Sequence, residues 1–217
     1  MLFLISFLIQ THPMTLKKLF AYVLPYTCIV CQQKSDRPQD LCEGCLQHLP
    51  FHREENSGAL LRYETPIAEL ILALKFQQKL AHARVFGELL AEKCQQYYEN
   101  NPLPEAIFPI PLHPARLKER GFNQALEIAR PVARLLGIPL QTKNVYRVAP
   151  TLPQATLPKT KRPSNVAKAF CVDTTYSHVA VIDDVFTTGN TMEEFCRTLQ
   201  TAGVKTIDTW CVAKTKL

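Results

Sequence analysis

The chain has 217 residues, 47% apolar and 20% charged, with a formal charge of +6 and a pI near 8.9. That balance excludes wholesale disorder and leaves room for one medium domain plus a small module. The mild basic excess suits an anionic ligand or a nucleic acid without requiring either.

Met1 to Ile9 is apolar except for Ser6, too short to span a bilayer as a helix. It lacks the basic start and the cleavage site of a signal peptide. Residues 1–13 therefore read as an upstream-start artefact or a minor extension ahead of Met14. A membrane-touching segment is the other reading. Leu16 to Leu24 has the pattern of a short amphipathic helix stopped by Pro25.

A cysteine-rich module follows. Cys28-x-x-Cys31, ten further residues, and Cys42-x-x-Cys45 form two chelate pairs. A two-residue gap lets both thiolates of a pair hold one ion, and two pairs close a tetrahedral four-thiolate site. Structural zinc is the expected cofactor, and a closed site leaves no position for catalytic water. Gly44 is expected to relax the second turn, and His48 and His52 to be surface residues. The other cysteines (Cys94, Cys171, Cys196 and Cys211) read as free core thiols, and all eight fit a reducing, cytoplasmic compartment. Residues 14–58 are thus a helix plus a zinc-ribbon-like module, and residues 59–217 a second domain.

In that domain Leu60 to Tyr63 is a strand or an extended linker. Helices are expected from Pro66 to Phe76 and from Ala81 to Tyr98, the second broken by Asn100-Asn101-Pro102. Ala106 to Leu112 is a strand running into a Pro-rich turn. Asn123 to Leu136 is helical to Gly137, with a kink or break at Pro131. Val145-Tyr146 is a short strand. Ala149 to Asn165 reads as a long loop carrying Lys159, Lys161 and Arg162. Val179 to Ile182 is a buried strand, Thr191 to Thr201 a helix and Thr206 to Val212 a last strand. Strands alternating with helices imply an α/β fold with a mostly parallel sheet flanked by helices.

One string carries the most chemistry: Val179-Ala180-Val181-Ile182-Asp183-Asp184-Val185-Phe186-Thr187-Thr188-Gly189-Asn190-Thr191. An apolar strand delivers two carboxylates to its carboxyl end, where open α/β sheets bind ligands. The turn from Thr187 to Thr191, with Gly189 and a helix start, converges N–H and hydroxyl donors on an anion. The pattern suits a sugar phosphate. No P-loop or G-x-G-x-x-G string occurs. Arg116, Lys118 and Arg120 follow a strand expected to parallel this one, and could neutralise a second phosphate group in the same crevice.

The string resembles the 5-phosphoribosyl 1-pyrophosphate (PRPP) motif of type I phosphoribosyltransferases. The resemblance implies that Asp183 and Asp184 hold the ribose hydroxyls. It implies too that Thr187, Thr188, Gly189, Asn190 and Thr191 hold the 5-phosphate, and that a hydrated magnesium ion bridges ribose and pyrophosphate. More of the chain is similar to the ComF family of competence-associated proteins: Lys75 in Leu-Ala-Leu-Lys-Phe, Pro109-Ile110-Pro111-Leu112-His113, Arg116, Arg120-Gly121-Phe122-Asn123-Gln124, Arg147, Gln154, Arg162 with Asn165, and the zinc module. The fold implied is the type I phosphoribosyltransferase one. One departure stands out: enzymes that salvage 6-oxopurines place a general-base Asp where this chain has Thr187.

Two function classes remain. The first is an enzyme: a magnesium-dependent phosphoribosyltransferase of nucleotide metabolism with an unidentified acceptor, Asp183, Asp184, Arg116 and Arg120 being its catalytic candidates. The second is the role that the ComF resemblance implies. That is natural competence, with incoming single-stranded DNA and DNA-uptake proteins as partners at the cytoplasmic face of the membrane, and no transmembrane anchor of the chain's own. Phe122, Tyr146 or Phe51 could offer stacking surfaces there, although core positions are the default for such aromatics.

Overall fold

The computed structural model describes residues 26–53, 58–148 and 169–215. The 1–13 extension, the helix expected at Leu16 to Leu24 and the loop from Ala149 to Asn165 lie outside them. The chain divides into two compact units, one ending at His48 and the other beginning at Leu49.

The first unit is a knuckle followed by a short helix, α1 (Glu43–Gln47). Thr27 and Lys34 pair across the knuckle, and the Cys28 N–H donates to the Gln33 carbonyl at 2.8 Å. The tight turn falls at Gln32, whose φ is 61°. Gly44 instead sits inside α1, so the second cysteine pair uses a helix start rather than a glycine turn. The Asp36 carboxylate receives the Glu43 N–H there at 3.0 Å.

The second unit contains β1 (Ala59–Arg62), α2 (Ile67–Gln77), α3 (Leu80–Tyr98), β2 (Ala106–Pro109), α4 (Pro114–Arg120), α5 (Gln124–Leu136), β3 (Val145–Arg147), β4 (Phe170–Val172), β5 (His178–Phe186), α6 (Asn190–Thr201) and β6 (Thr206–Lys214). Four strands form a parallel sheet in the order β1-β6-β5-β2, and β3 pairs antiparallel with β4. Period-two alternation splits the central strands into two buried faces. Phe108, Ile110, Val179 and Val181 join Val145, Phe170, Phe195 and Leu199 in one core, roofed by α6 and the antiparallel β3–β4 pair. Ile107, Ala180 and Ile182 point to the opposite face, where α5 packs on β5 and β2.

Several features differ from expectation, including strand β4, which the sequence reading leaves out. Pro131 does not break α5, which runs unbroken from Gln124 to Leu136. Gly87 of α3 accounts for the close fit beside it: a Cβ at Gly87 would lie 2.3 Å from the Pro131 ring and 2.4 Å from the Ile128 carbonyl oxygen. The segment after β2 forms helix α4, which the prolines disguised in the sequence. The His113 imidazole caps it, receiving the Ala115 N–H at 3.2 Å, and Pro114 occupies the first turn, where proline is tolerated. Cys171 is exposed rather than in the core. Among the described residues, no helix is long and apolar enough to cross a membrane.

Candidate functional site

Strand β5 runs past Ile182 to Phe186, so Asp183 and Asp184 lie within it rather than at its end. The crevice exists because the neighbour stops first. Strand β2 pairs with β5 only as far as Pro109 opposite Ile182, while β6 continues beside β5 to Lys214. The carboxylates therefore emerge where one side of β5 has lost its partner.

Being consecutive, the two carboxylates face opposite sides of the strand. Asp184, 9% exposed, receives Lys75 from the end of α2, with Nζ to Oδ2 at 2.7 Å. The Arg120 charge also acts on it, and the Arg120 guanidinium lies 5.5 Å from the centre of the Phe76 ring. Asp183 lies on the side of the β3–β4 pair. Arg147, 8% exposed on β3, acts on it electrostatically and stacks 5.2 Å from the Phe170 ring centre. Burial and the adjacent Asp184 push the Asp183 carboxyl up to about 7, against the pull of the Asp184 N–H, Lys75 and Arg147. That N–H donates to Asp183 Oδ1 at 2.8 Å. Burial lowers the affinity of Arg120 and of Arg147 for their protons, and the charge of Arg116 acts the same way on both. Two carboxylates thus stand among four cations.

The loop closes the crevice from above. Gly189, with φ of 82°, precedes the first turn of α6, and a Cβ there would meet the Phe186 ring at 2.6 Å. A small cavity of about 30 Å³ is lined by Asp183, Thr187, Gly189 and Thr191 among others. Thr187 is exposed, and its carbonyl accepts from the Thr215 hydroxyl at 3.4 Å. Opposite, the Ile110 N–H donates to the Ile182 carbonyl at 3.0 Å, and Asn123 Nδ2 donates to the Ile110 carbonyl at 2.9 Å. Asn123 also caps α5 through its Oδ1, which takes the Ala125 N–H at 3.0 Å. One asparagine thus ties the segment after β2 to the helix behind it. That fixes where α4, with Arg116 and Arg120, leaves the sheet.

The structure brings Asp183, Asp184, Arg116, Arg120 and the Thr187–Thr191 loop into one region. Lys75 and Arg147 join it, although sequence reasoning gave them no role in the site. Their signal was present only as membership of the ComF-like pattern, because ordinary helix and strand positions hide a lysine or arginine that turns inward. Of the three aromatics considered for stacking, Tyr146 and Phe51 are exposed and Phe122 is half-buried, so none is a core residue.

In the first unit the sulfurs of Cys28, Cys31, Cys42 and Cys45 all lie within 4.8 Å of one another. Tetrahedral zinc with Zn–S bonds of about 2.3 Å needs sulfurs about 3.8 Å apart. Cys31 and Cys42 are 3.8 Å apart. The four-cysteine cluster is compatible with structural zinc. His48 turns its Nδ1 to the Gly44 carbonyl at 2.7 Å and stays out of the cluster.

A phosphoribosyl transferase domain model matches residues 123–216. Competence protein F of Haemophilus influenzae is 32% identical over 197 residues, spanning 88% of this chain and 85% of that protein. DNA utilization protein YhgH of Salmonella typhi is 30% identical over 192 residues, spanning 87% and 84%. Among solved structures, a Trypanosoma cruzi hypoxanthine phosphoribosyl transferase aligns with 61% of this chain and 64% of its own at 14% identity, with a TM-score of 0.37. That last likeness is too slight to add weight.

Proposed function

The chain belongs to the family of competence protein F and DNA utilization protein YhgH, with a phosphoribosyltransferase-like domain, and from this we propose that it binds Mg-PRPP and handles incoming single-stranded DNA in natural competence. The single observation that carries the ligand is the placing of Asp183 and Asp184 on β5 where β2 ends, with Asp183 beside the Gly189 loop and four cations around the two.

In this reading the two carboxylates accept hydrogen bonds from the ribose 2′ and 3′ hydroxyls. The 5-phosphate occupies the Thr187–Thr191 loop, where N–H groups at a helix start favour an anion. Arg116 and Arg120 meet the pyrophosphate, with fork geometry suited to phosphate oxygens. Magnesium keeps most of its waters and needs few protein ligands, so the carboxylates would hold it beside the sugar largely through those waters. The ion would supply charge neutralisation of the pyrophosphate. Lys75 holds Asp184 in place until the ligand arrives. The DNA role follows the relatives' names and the basic balance of the chain.

The alternative is an active magnesium-dependent phosphoribosyltransferase with an unidentified acceptor. The cations Arg116, Arg120 and Arg147 favour it, since they would stabilise a departing pyrophosphate. Thr187 disfavours it, since the loop from Thr187 to Thr191 carries no carboxylate to act as general base.

Calorimetry with Mg-PRPP tests the site. Wild type should bind, and Asp183→Ala/Asp184→Ala should not; equal binding by both would overturn the assignment. Pyrophosphate release from Mg-PRPP in the presence of bases and amines would establish turnover.

A further inference from the structure

A second, larger cavity opens on the β2 side of the sheet, bounded by α4, the first turns of α5 and the start of β3. Its volume is about 450 Å³, within the range of small-molecule sites. Asp183, Asp184 and the Gly189 loop take no part in its walls. Much of the wall is ring and aliphatic surface, from Phe122, Tyr146, Leu117 and several prolines. Tyr146 is 58% exposed and Leu117 42%, so large apolar groups face solvent at the mouth of a concavity.

The remaining lining is polar and differs in kind from place to place. Gln141 and Thr142 offer hydrogen-bonding groups. Glu127 and Arg130 form an ion pair at 3.2 Å. Arg147 lines the cavity and also acts on Asp183, so one buried cation stands between this cavity and the carboxylate crevice. A bare phosphate would leave the rings uncovered, and a purely apolar ligand would gain nothing from the Arg147 charge. The complement is a flat aromatic ring with a hydrogen-bonding edge, joined to an anion.

We propose that this cavity is a nucleotide site, the base lying against Phe122 and Tyr146 and the phosphate meeting Arg147. The site adjoins the sugar-phosphate crevice, sharing only Arg147 with it, and does not depend on PRPP occupying that crevice. The same chemistry could come from a free mononucleotide or from one base of a single DNA strand.

Two probes with one base separate these sources: dAMP and the single-stranded 20-mer (dA)20, each titrated against the full chain at fixed low salt. The variants are Tyr146→Ala and Leu117→Glu, both at solvent-facing positions, with circular dichroism to confirm folding. Loss of one base stack should weaken binding about tenfold. The proposal expects both variants to weaken dAMP, (dA)20 or both to that extent while Mg-PRPP affinity is unchanged. Sensitivity of dAMP identifies a free-nucleotide site; sensitivity of (dA)20 alone identifies a strand site. Asp183→Ala/Asp184→Ala should retain the sensitive probe, which keeps a failure here distinct from a failure of the PRPP reading. Failure of both probes to bind overturns the proposal. So does wild-type affinity in both cavity variants, or binding lost only in the Asp183/Asp184 variant.

Discussion

Asp183→Asn probes the electrostatics of the crevice directly. The Asp183 carboxyl is pushed up to about 7 from an ordinary value of 3.8, chiefly by burial and then by Asp184. Between these values the unfolded chain ionises the group and the folded chain keeps its proton. The folded state then binds more protons, so stability falls as pH rises through the window and levels off above about 7. At about 1.4 kcal/mol per pH unit, the full loss is on the order of 4 kcal/mol. Asparagine retains an oxygen to accept the Asp184 N–H, which Asp183 Oδ1 now receives at 2.8 Å, and carries no charge. Without ligand, the variant should match wild type in Tm near pH 4 and exceed it near pH 8. At about 2–4 °C per kcal/mol the gain is on the order of 10 °C. Thermal unfolding in magnesium-free buffer from pH 4 to 8.5 measures it. A Tm difference independent of pH, or a variant less stable than wild type at pH 8, would refute the reasoning. A stabilised variant that loses its ligand would mark Asp183 as a residue whose charge costs stability in the service of binding.

Two further outcomes follow from the packing and from the sulfurs. Gly87→Ala places a Cβ inside contact distance of the Ile128 carbonyl and the Pro131 ring, so α3 and α5 must separate. The expected loss is about 1–3 kcal/mol, read as a lower urea midpoint at unchanged m-value. Among its described residues the knuckle unit buries little besides Cys28, Ile29 and Leu41, so the knuckle's fold should depend on its metal. Purified protein should carry one zinc per chain. Chelation should abolish hydrogen-exchange protection at the Cys28 and Ile29 amides while the β5 and β6 amides stay protected; retained protection at Cys28 would count against a structural metal.

The sequence by itself determined the local patterns and their chemistry. The Cys28, Cys31, Cys42 and Cys45 spacing specifies a four-sulfur cluster because chelation is set by short-range geometry. The apolar run into Asp183 and Asp184 specifies a buried strand delivering carboxylates, because burial on both faces demands that run. The helices of the second unit were legible for the same reason, apart from α4, whose prolines obscured a helix start that His113 and Pro114 in fact cap. What only the tertiary structure decided is where strands stop relative to one another. The sheet opens at Asp183 because β2 ends at Pro109, and no pattern within β5 records the length of its neighbour. Nor could periodicity show that Lys75 at the end of α2 and Arg147 on β3 would converge on that opening. Each satisfies its own element's pattern, and only packing across the sheet puts their charges together. Pro131 shows the limit from the other side. The local rule called for a kink or break, and α5 runs on past Pro131, packed against Gly87 of α3 more than forty residues earlier in the chain.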